Sequence, residues 1–239
     1  DFILGYGCAK LDYALREVSA NAPERVLNNQ MNLLGTHDTE RALTVLGKQS
    51  TKITEGKGSE LASKRLSAKE RADAIKRLML AASIQYTVYG VPSVYYGDEA
   101  GMEGYGDPFC RRPFPWGREE KELQKHYRRL GALRTKFEAL RLGDIQFFDA
   151  ADGRLGFTRS HNGRRIHVCV NMSHEMWLLP GRKILLDAGI SGDFAAALCN
   201  RHVFREGLRL RLFGDFGRGS FGEHGQHQLQ IAHVVAQIL

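Results

Sequence analysis

Met31-Asn32-Leu33-Leu34-Gly35-Thr36-His37-Asp38-Thr39-Glu40-Arg41 is a short apolar run that gives way to a polar turn. It lies between stretches of helical periodicity. A short apolar run in that setting suits a buried parallel strand, which is covered on both faces and need not alternate. His37 and Asp38 fall at its C-terminal end, where catalytic groups of parallel α/β folds collect. A His-Asp pair there sets a hydrogen-bond donor beside a carboxylate. The same residues also suit a surface turn whose Asp caps the next helix. The pattern alone does not choose between these two.

Outward from this segment the chain alternates helix and strand. Residues 10–29 read as helical, with Leu11, Leu15 and Val18 on one face, and Pro23 opens a second short helix or turn over Glu24–Asn28. Residues 47–66 are rich in Gly, Lys, Ser and Thr and read as an exposed loop. Ser67-Ala68-Lys69-Glu70 has the form of a capping box. Ala72, Ile75, Met79, Ala82, Tyr86 and Tyr89 follow at spacings of three and four as one apolar face. Gly90 and Pro92 should end that helix. Val91–Tyr96 reads as a second buried strand, and 97–118 as a loop long enough to be functional. Residues 119–140 return to helix, with Leu123, Tyr127, Leu130, Leu133, Phe137 and Leu140 as its buried stripe. Such alternation argues for a parallel sheet. Two strands by themselves, however, can neither close a barrel nor protect their own edges.

After Gly143 the character changes. Ile145–Phe148, Leu155–Arg159 and Arg165–Asn171 are short runs separated by Asp152-Gly153 and Asn162-Gly163, which are hairpin signals. A separate antiparallel β domain is expected over 142–239, after an α/β part over 1–141. Residues 214–225 are dense in glycine, and alternation is poor over Gly214–Gln230.

Composition excludes several classes. The chain has 239 residues, 43% hydrophobic and 26% charged, an ordinary globular balance. The apolar run Leu78–Ala82 is far shorter than the roughly 18–20 residues a membrane helix needs. The net charge of +7 is concentrated: residues 111–141 carry ten basic groups against four acidic. No nucleic-acid-binding motif accompanies that excess, so a solvated helix face explains it better than a nucleic-acid partner. Cys8, Cys110, Cys169 and Cys199 lie far apart without a C-x-x-C pair, and read as reduced, buried thiols. That weighs towards the cytoplasm. His224-Gly225-Gln226-His227 is the nearest approach to a metal motif, and a glycine-rich stretch rarely gives the rigidity such a pair needs. The expectation is no metal and no cofactor required by this chain.

Two segments carry a family resemblance. Met31–Arg41 resembles the seventh-strand motif of the α-amylase superfamily, glycoside hydrolase family thirteen. Gly90-Val91-Pro92-Ser93-Val94-Tyr95-Tyr96-Gly97-Asp98-Glu99 resembles its eighth-strand motif, in the right order and with a helix between. Gly104-Tyr105-Gly106-Asp107-Pro108, with Arg111-Arg112-Pro113 and Trp116, is similar to the following loop in the neopullulanase, cyclomaltodextrinase and maltogenic amylase branch. The resemblance covers residues 10 to about 187.

It implies the C-terminal part of a TIM (β/α)8 barrel followed by an antiparallel β-sandwich domain. It implies a retaining glycosidase acting on α-1,4 bonds of starch-derived glucans, with α-1,6 bonds as a further option. Asp38 would be the third catalytic carboxylate, bonding hydroxyls of the sugar at the cleavage point, and His37 would donate to the same ring. Asp107 and Arg111 would grip a sugar further towards the nonreducing end. The alternative for Asp107 and Arg111 is a structural loop salt bridge, and for Tyr96 and Glu99 a structural role is favoured. The retaining mechanism also needs a nucleophile and an acid/base about 5–5.5 Å apart. No Gly-x-Arg-x-Asp segment of the nucleophile type occurs, so the chain is expected to start after the fifth strand and to be inactive alone. Calcium and homodimerisation are allowed for the intact enzyme. Two other readings stay open: an inert amylase-like binding or assembly module, and a superfamily member acting on trehalose or sucrose. Residues 190–239 depart from the family's ending, and a divergent tail or a frameshift after Asp187 is expected there.

Overall fold

The computed structural model describes residues 3, 8–47, 58–150, 153–171, 208–215 and 231–238. Helices α1 (Ala9–Asn21) and α2 (Glu24–Leu27) precede strand β1 (Met31–Leu33). Helices α3 (Ala42–Gly47), α4 (Gly58–Ser63) and α5 (Ala68–Thr87) lead to β2 (Val91–Ser93). Helices α6 (Lys121–Lys136) and α7 (Glu138–Leu142) follow, and then strands β3 (Asp144–Asp149), β4 (Arg154–His161), β5 (Arg164–Asn171), β6 (Leu208–Asp215) and β7 (Ile231–Ile238). The architecture is α/β, with a parallel pair at one end and an antiparallel sheet at the other.

Strands β1 and β2 pair in parallel, Met31 opposite Val91 and Leu33 opposite Ser93. Parallel neighbours need a long crossover, and α3–α5 supply it. Gln85 of α5 donates to the carbonyls of Asn32 and Ser93 at 2.8 and 3.0 Å, which fixes the helix over the pair. Gly90 makes the turn between helix and strand. Its φ is +85°, and a Cβ there would lie 2.5 Å from the Gln30 carbonyl oxygen, so only glycine fits.

The expectation of two buried strands is corrected. Met31, Leu33 and Val91 are 64%, 46% and 49% exposed. Apolar sequence is a request for cover, and among the described residues each of these strands has only the other as a ladder partner. The second strand is also shorter than expected, ending at Ser93 rather than Tyr96.

Helix α5 starts at the expected capping box. Ser67 Oγ accepts from the Glu70 N–H at 3.3 Å, and Glu70 accepts from the Ser67 N–H at 2.8 Å. Its buried face differs from the expected stripe. Ala74, Leu78, Leu80, Ala81, Ala82 and Ile84 are buried, whereas Ile75, Met79 and Tyr86 are half-buried and Ala72 is exposed. The helix is packed between α3 and α6, so its second half is enclosed on more than one side. The expected loop over 47–66 contains α4, and residues 48–57 lie outside the described residues.

Helix α6 buries Leu123, Tyr127 and Leu130 as expected, and Phe137 and Leu140 after it. The run is broken at Phe137 (φ −115°, ψ 105°), which turns α7 away. Two buried arginines then close the helix ends. Arg134 donates to the carbonyls of Tyr86, Leu140 and Gly90. Arg159 of β4 donates to Thr87, Leu140 and Gly143 at 2.8, 3.3 and 2.7 Å. Cations suit helix C-termini, whose last carbonyls lack partners. Burial, then the neighbouring Arg134 charge, push Arg159 down to about 10.

The antiparallel part is one five-stranded sheet in the order β3-β4-β5-β6-β7. Asn162 and Gly163 both have positive φ (48° and 71°), the conformation that joins β4 to β5. Leu155, Phe157, Ile166, Val168 and Val170 extend the core. Strand β6 pairs with β5 and β7 with β6, so two eight-residue strands extend this sheet at its C-terminal end. A second sheet of the expected sandwich does not occur among the described residues. The tail divergence or frameshift expected over 190–239 falls largely on residues 190–207 and 216–230, outside the described residues, as do Cys199 and the His224–His227 motif. Cys8, Cys110 and Cys169 are buried thiols.

Candidate active site

Asp38 sits in the turn after β1, and its side chain is 68% exposed. The turn is local chemistry. The Asp38 N–H donates to Thr36 Oγ1 at 3.3 Å, and the Thr36 N–H to Thr39 Oγ1 at 3.3 Å. Short hydroxyl side chains bond the backbone in this way and leave the intervening side chains pointing out. His37 Nε2 lies 3.2 Å from Asp38 Oδ2.

The long loop brings the remaining groups to the same place. Arg111, in a 3-10 turn over Phe109–Arg111, donates from Nη2 to Asp38 Oδ1 at 3.2 Å and from Nε to the His37 carbonyl at 2.9 Å. Arg111 Nε is also 2.9 Å from Asp107 Oδ1. All four candidate residues, His37, Asp38, Asp107 and Arg111, therefore form one solvent-facing cluster with the guanidinium at its centre. The Asp107–Arg111 salt bridge expected as an alternative is present, and the same guanidinium also reaches Asp38. Asp107 is held by only part of one Arg fork, and Asp38 by part of the same fork and by His37 Nε2, so both carboxylates keep lone pairs for a ligand.

Beneath the cluster lies a residue whose role the sequence did not disclose. Arg41 is 1% exposed and ties the two segments together. Its Nε donates to the Cys110 carbonyl at 2.7 Å, and its Nη1 donates to the Tyr96 carbonyl and to Asp98 Oδ1, the latter at 3.1 Å. The guanidinium also lies over the Tyr95 and Tyr96 rings, 4.2 and 4.6 Å from their centroids. Its own N–H donates to Gly104 O at 2.9 Å. Asp98 is pushed up to about 6, chiefly by burial, with the Arg41 charge pulling the other way. Gly35 packs so closely on Asp98 that a Cβ would run into the carboxylate. Arg41 and Asp98 belong to the seventh- and eighth-strand segments, but nothing local marks them as partners across 57 residues.

Tyr96 is tied into the backbone around the loop. Tyr96 donates from its hydroxyl to the Arg112 carbonyl at 2.8 Å, and its own carbonyl accepts from Arg41. Glu99 is half-buried in the turn that follows β2, and its Oε2 is buried without a hydrogen-bond partner among the described residues. Cys110 donates from Sγ to the His37 carbonyl at 3.2 Å, a further tie between loop and turn. Among the described residues no three His, Cys, Asp or Glu side chains converge as a metal site. No described helix is long and apolar enough to cross a membrane.

Comparison with known proteins bears on this geometry. The chain is 42% identical over 158 residues to an amylopullulanase of Thermoanaerobacter thermohydrosulfuricus, a match covering 66% of this chain and 10% of that protein. It is 33% identical over 170 residues to a cyclomaltodextrinase of Geobacillus thermopakistaniensis, covering 70% of this chain and 25% of that one. The structure superposes on a debranching enzyme of Nostoc punctiforme with a TM-score of 0.60 at 26% identity, over 75% of this chain and 34% of the other. No protein-family model matches. The chain thus spans 10% to 25% of the length of these two curated relatives. Similarity to starch-active enzymes at two levels, sequence and fold, joins the Asp38 cluster in one conclusion: the chain belongs to the α-amylase superfamily, glycoside hydrolase family thirteen, in its neopullulanase-like branch, and matches part of its members.

Proposed function

We propose that these residues form part of a glycosidase that cleaves α-1,4 glucosidic bonds of starch-derived glucans with retention of configuration, with α-1,6 bonds as a further option. One observation carries the reading: Arg111 joins Asp38 to Asp107 on one exposed face, at the end of a parallel strand pair. In this reading β1 and β2 are neighbouring strands of a (β/α)8 barrel, and the cluster faces its C-terminal mouth, where such barrels bind substrate.

The chemistry follows from the groups present. Asp38 accepts from two hydroxyls of the sugar at the cleavage point. As the ring flattens towards an oxocarbenium-like state those hydroxyls become better donors, so the bonds strengthen in the transition state. Arg111 holds the Asp38 carboxylate in place, because a guanidinium fork fixes direction as well as charge. His37 donates to the same ring. Asp107 and the free edge of Arg111 bind the next sugar towards the nonreducing end. Bond breaking itself needs a nucleophile and an acid/base about 5–5.5 Å apart. These 239 residues contain no segment of the nucleophile type, and Asp38 is not asked to fill either role.

The test is Asp38→Asn in the intact enzyme, with turnover on maltodextrin and the anomeric form of the first product followed together. Turnover should fall by about three orders of magnitude, while the thermal midpoint stays near that of the parent because the side chain is exposed. The purified 239-residue chain should release no maltose. Near-normal turnover in Asp38→Asn, or an inverted product, would overturn the reading.

A further inference from the structure

The loop over 97–118 has a second face. Arg111 points to Asp38, but its neighbour Arg112 points the other way, donating to the Ala62 carbonyl of α4 at 2.7 Å and to the Phe109 carbonyl at 3.1 Å. On that side lies a cavity of about 460 Å³, lined by Arg65, Arg71, Arg112, Arg118, Glu103 and Phe114 among others. None of the four residues of the Asp38 cluster lines it.

Four guanidiniums and one carboxylate are an unbalanced lining. Arg71 is paired, with Glu103 at 2.6 Å and Glu120 at 3.8 Å. Glu103 is spent on that pair and on the Leu66 N–H at 2.9 Å. Arg65 donates only to carbonyls, of Ala62 and Lys64 at 3.1 and 2.7 Å. Arg112 likewise donates to carbonyls, and among the described residues the Arg118 side chain has no hydrogen-bond or ion-pair partner. Carbonyls satisfy N–H groups but do not neutralise charge. Three guanidinium charges therefore share one space without a carboxylate of their own. Burial, then the Arg65 charge, lower the basicity of Arg112, with the Glu103 charge pulling the other way. An anion in the cavity would relieve that repulsion.

We propose that this cavity binds a phosphate group, either as inorganic phosphate or as a phosphate monoester on a sugar. Phosphate offers several oxygens and up to two charges, and guanidinium forks match it better than they match a neutral sugar. The volume falls within the range of small-ligand sites. Phe114 supplies an apolar wall, backed by Trp116 with ring centroids 4.5 Å apart, against which a sugar ring can lie. The proposal does not depend on the glycosidase reading, since it uses different residues and different chemistry.

The test is titration calorimetry of the full chain with sodium phosphate, glucose 6-phosphate and glucose. Phosphate and glucose 6-phosphate should bind saturably, and glucose should not. Tighter binding of glucose 6-phosphate assigns the site to the sugar ester, and equal binding assigns it to free phosphate. Arg65→Gln with Arg118→Gln should weaken binding by about tenfold or more, with an unchanged circular dichroism spectrum because both side chains are exposed. The corresponding double lysine variant, which keeps the charge but loses the forks, should bind more weakly than the parent and more tightly than the double glutamine variant, and Asp38→Asn should bind like the parent. No binding of either phosphate ligand at up to about 10 mM, or parental binding by the double glutamine variant, would overturn the proposal.

Discussion

Replacing Arg41 with methionine tests the physical account of the site's foundation. The guanidinium is fully enclosed and answers Asp98, the Cys110 carbonyl and the Tyr96 carbonyl. Removing one partner of a buried ion pair costs about 3–5 kcal/mol, because the remaining charge is left unpaired. Here the remaining charge has an escape. Asp98 is already raised to about 6 from 3.8, and loss of Arg41 removes the two influences that hold it down, its charge and its hydrogen bond. A carboxyl whose folded value is raised stabilises the fold fully below its unfolded value, and that contribution is lost as pH rises through the folded value. The cost of Arg41→Met should thus be largest near about pH 7.5 and shrink by about 2 kcal/mol near about pH 5, where Asp98 takes up a proton. What persists at the lower pH is the loss of two carbonyl partners, about 1–3 kcal/mol. Urea unfolding of parent and variant at the two pH values measures both numbers. Adding Asp98→Asn to Arg41→Met should recover stability at the higher pH. If the cost is the same at both pH values and Asp98→Asn does not relieve it, the pairing argument is wrong.

His126 should show the opposite dependence. Burial pushes it down to about 4, so between about pH 6.5 and 4 the unfolded chain binds more protons and stability falls as pH falls, by up to about 3 kcal/mol. His126→Gln should flatten that slope in urea titrations, and an unchanged slope would exclude His126 as its source. Ser67→Ala removes the capping box of α5 and should cost about 1 kcal/mol, read as a lower urea midpoint with unchanged steepness. Arg111→Gln in the intact enzyme should raise KM for maltodextrin by about tenfold with little change in thermal midpoint, since its side chain is 45% exposed. A large fall in midpoint would make Arg111 a structural residue instead.

Elements that depend on near neighbours are legible in the amino-acid sequence. Ser67 and Glu70 are three residues apart, and Asn162-Gly163 makes its turn alone, so both behave as expected. The stripe Leu123, Tyr127 and Leu130 needs only helical spacing and one packing face. The joining of Asp38 to Arg111 spans 73 residues and has no local signal; the family resemblance placed both residues in one sugar site without pairing them. Periodicity is less use for α5, because a helix enclosed from several sides has no single stripe to read.

Sequence alone, then, determined that two apolar runs would form parallel strands, that a polar turn would follow the first, and that an antiparallel unit would come after Gly143. It also placed Asp38 at a strand end. Tertiary structure alone decided that Met31, Leu33 and Val91 lie exposed, that Arg41 and Asp98 meet in the interior, and that Arg111 and Arg112 face opposite sides of one loop. The reason is the range of the forces. Dihedral preference, capping and periodicity act over a few residues, whereas burial and charge pairing depend on which distant segments the fold brings within a few ångströms.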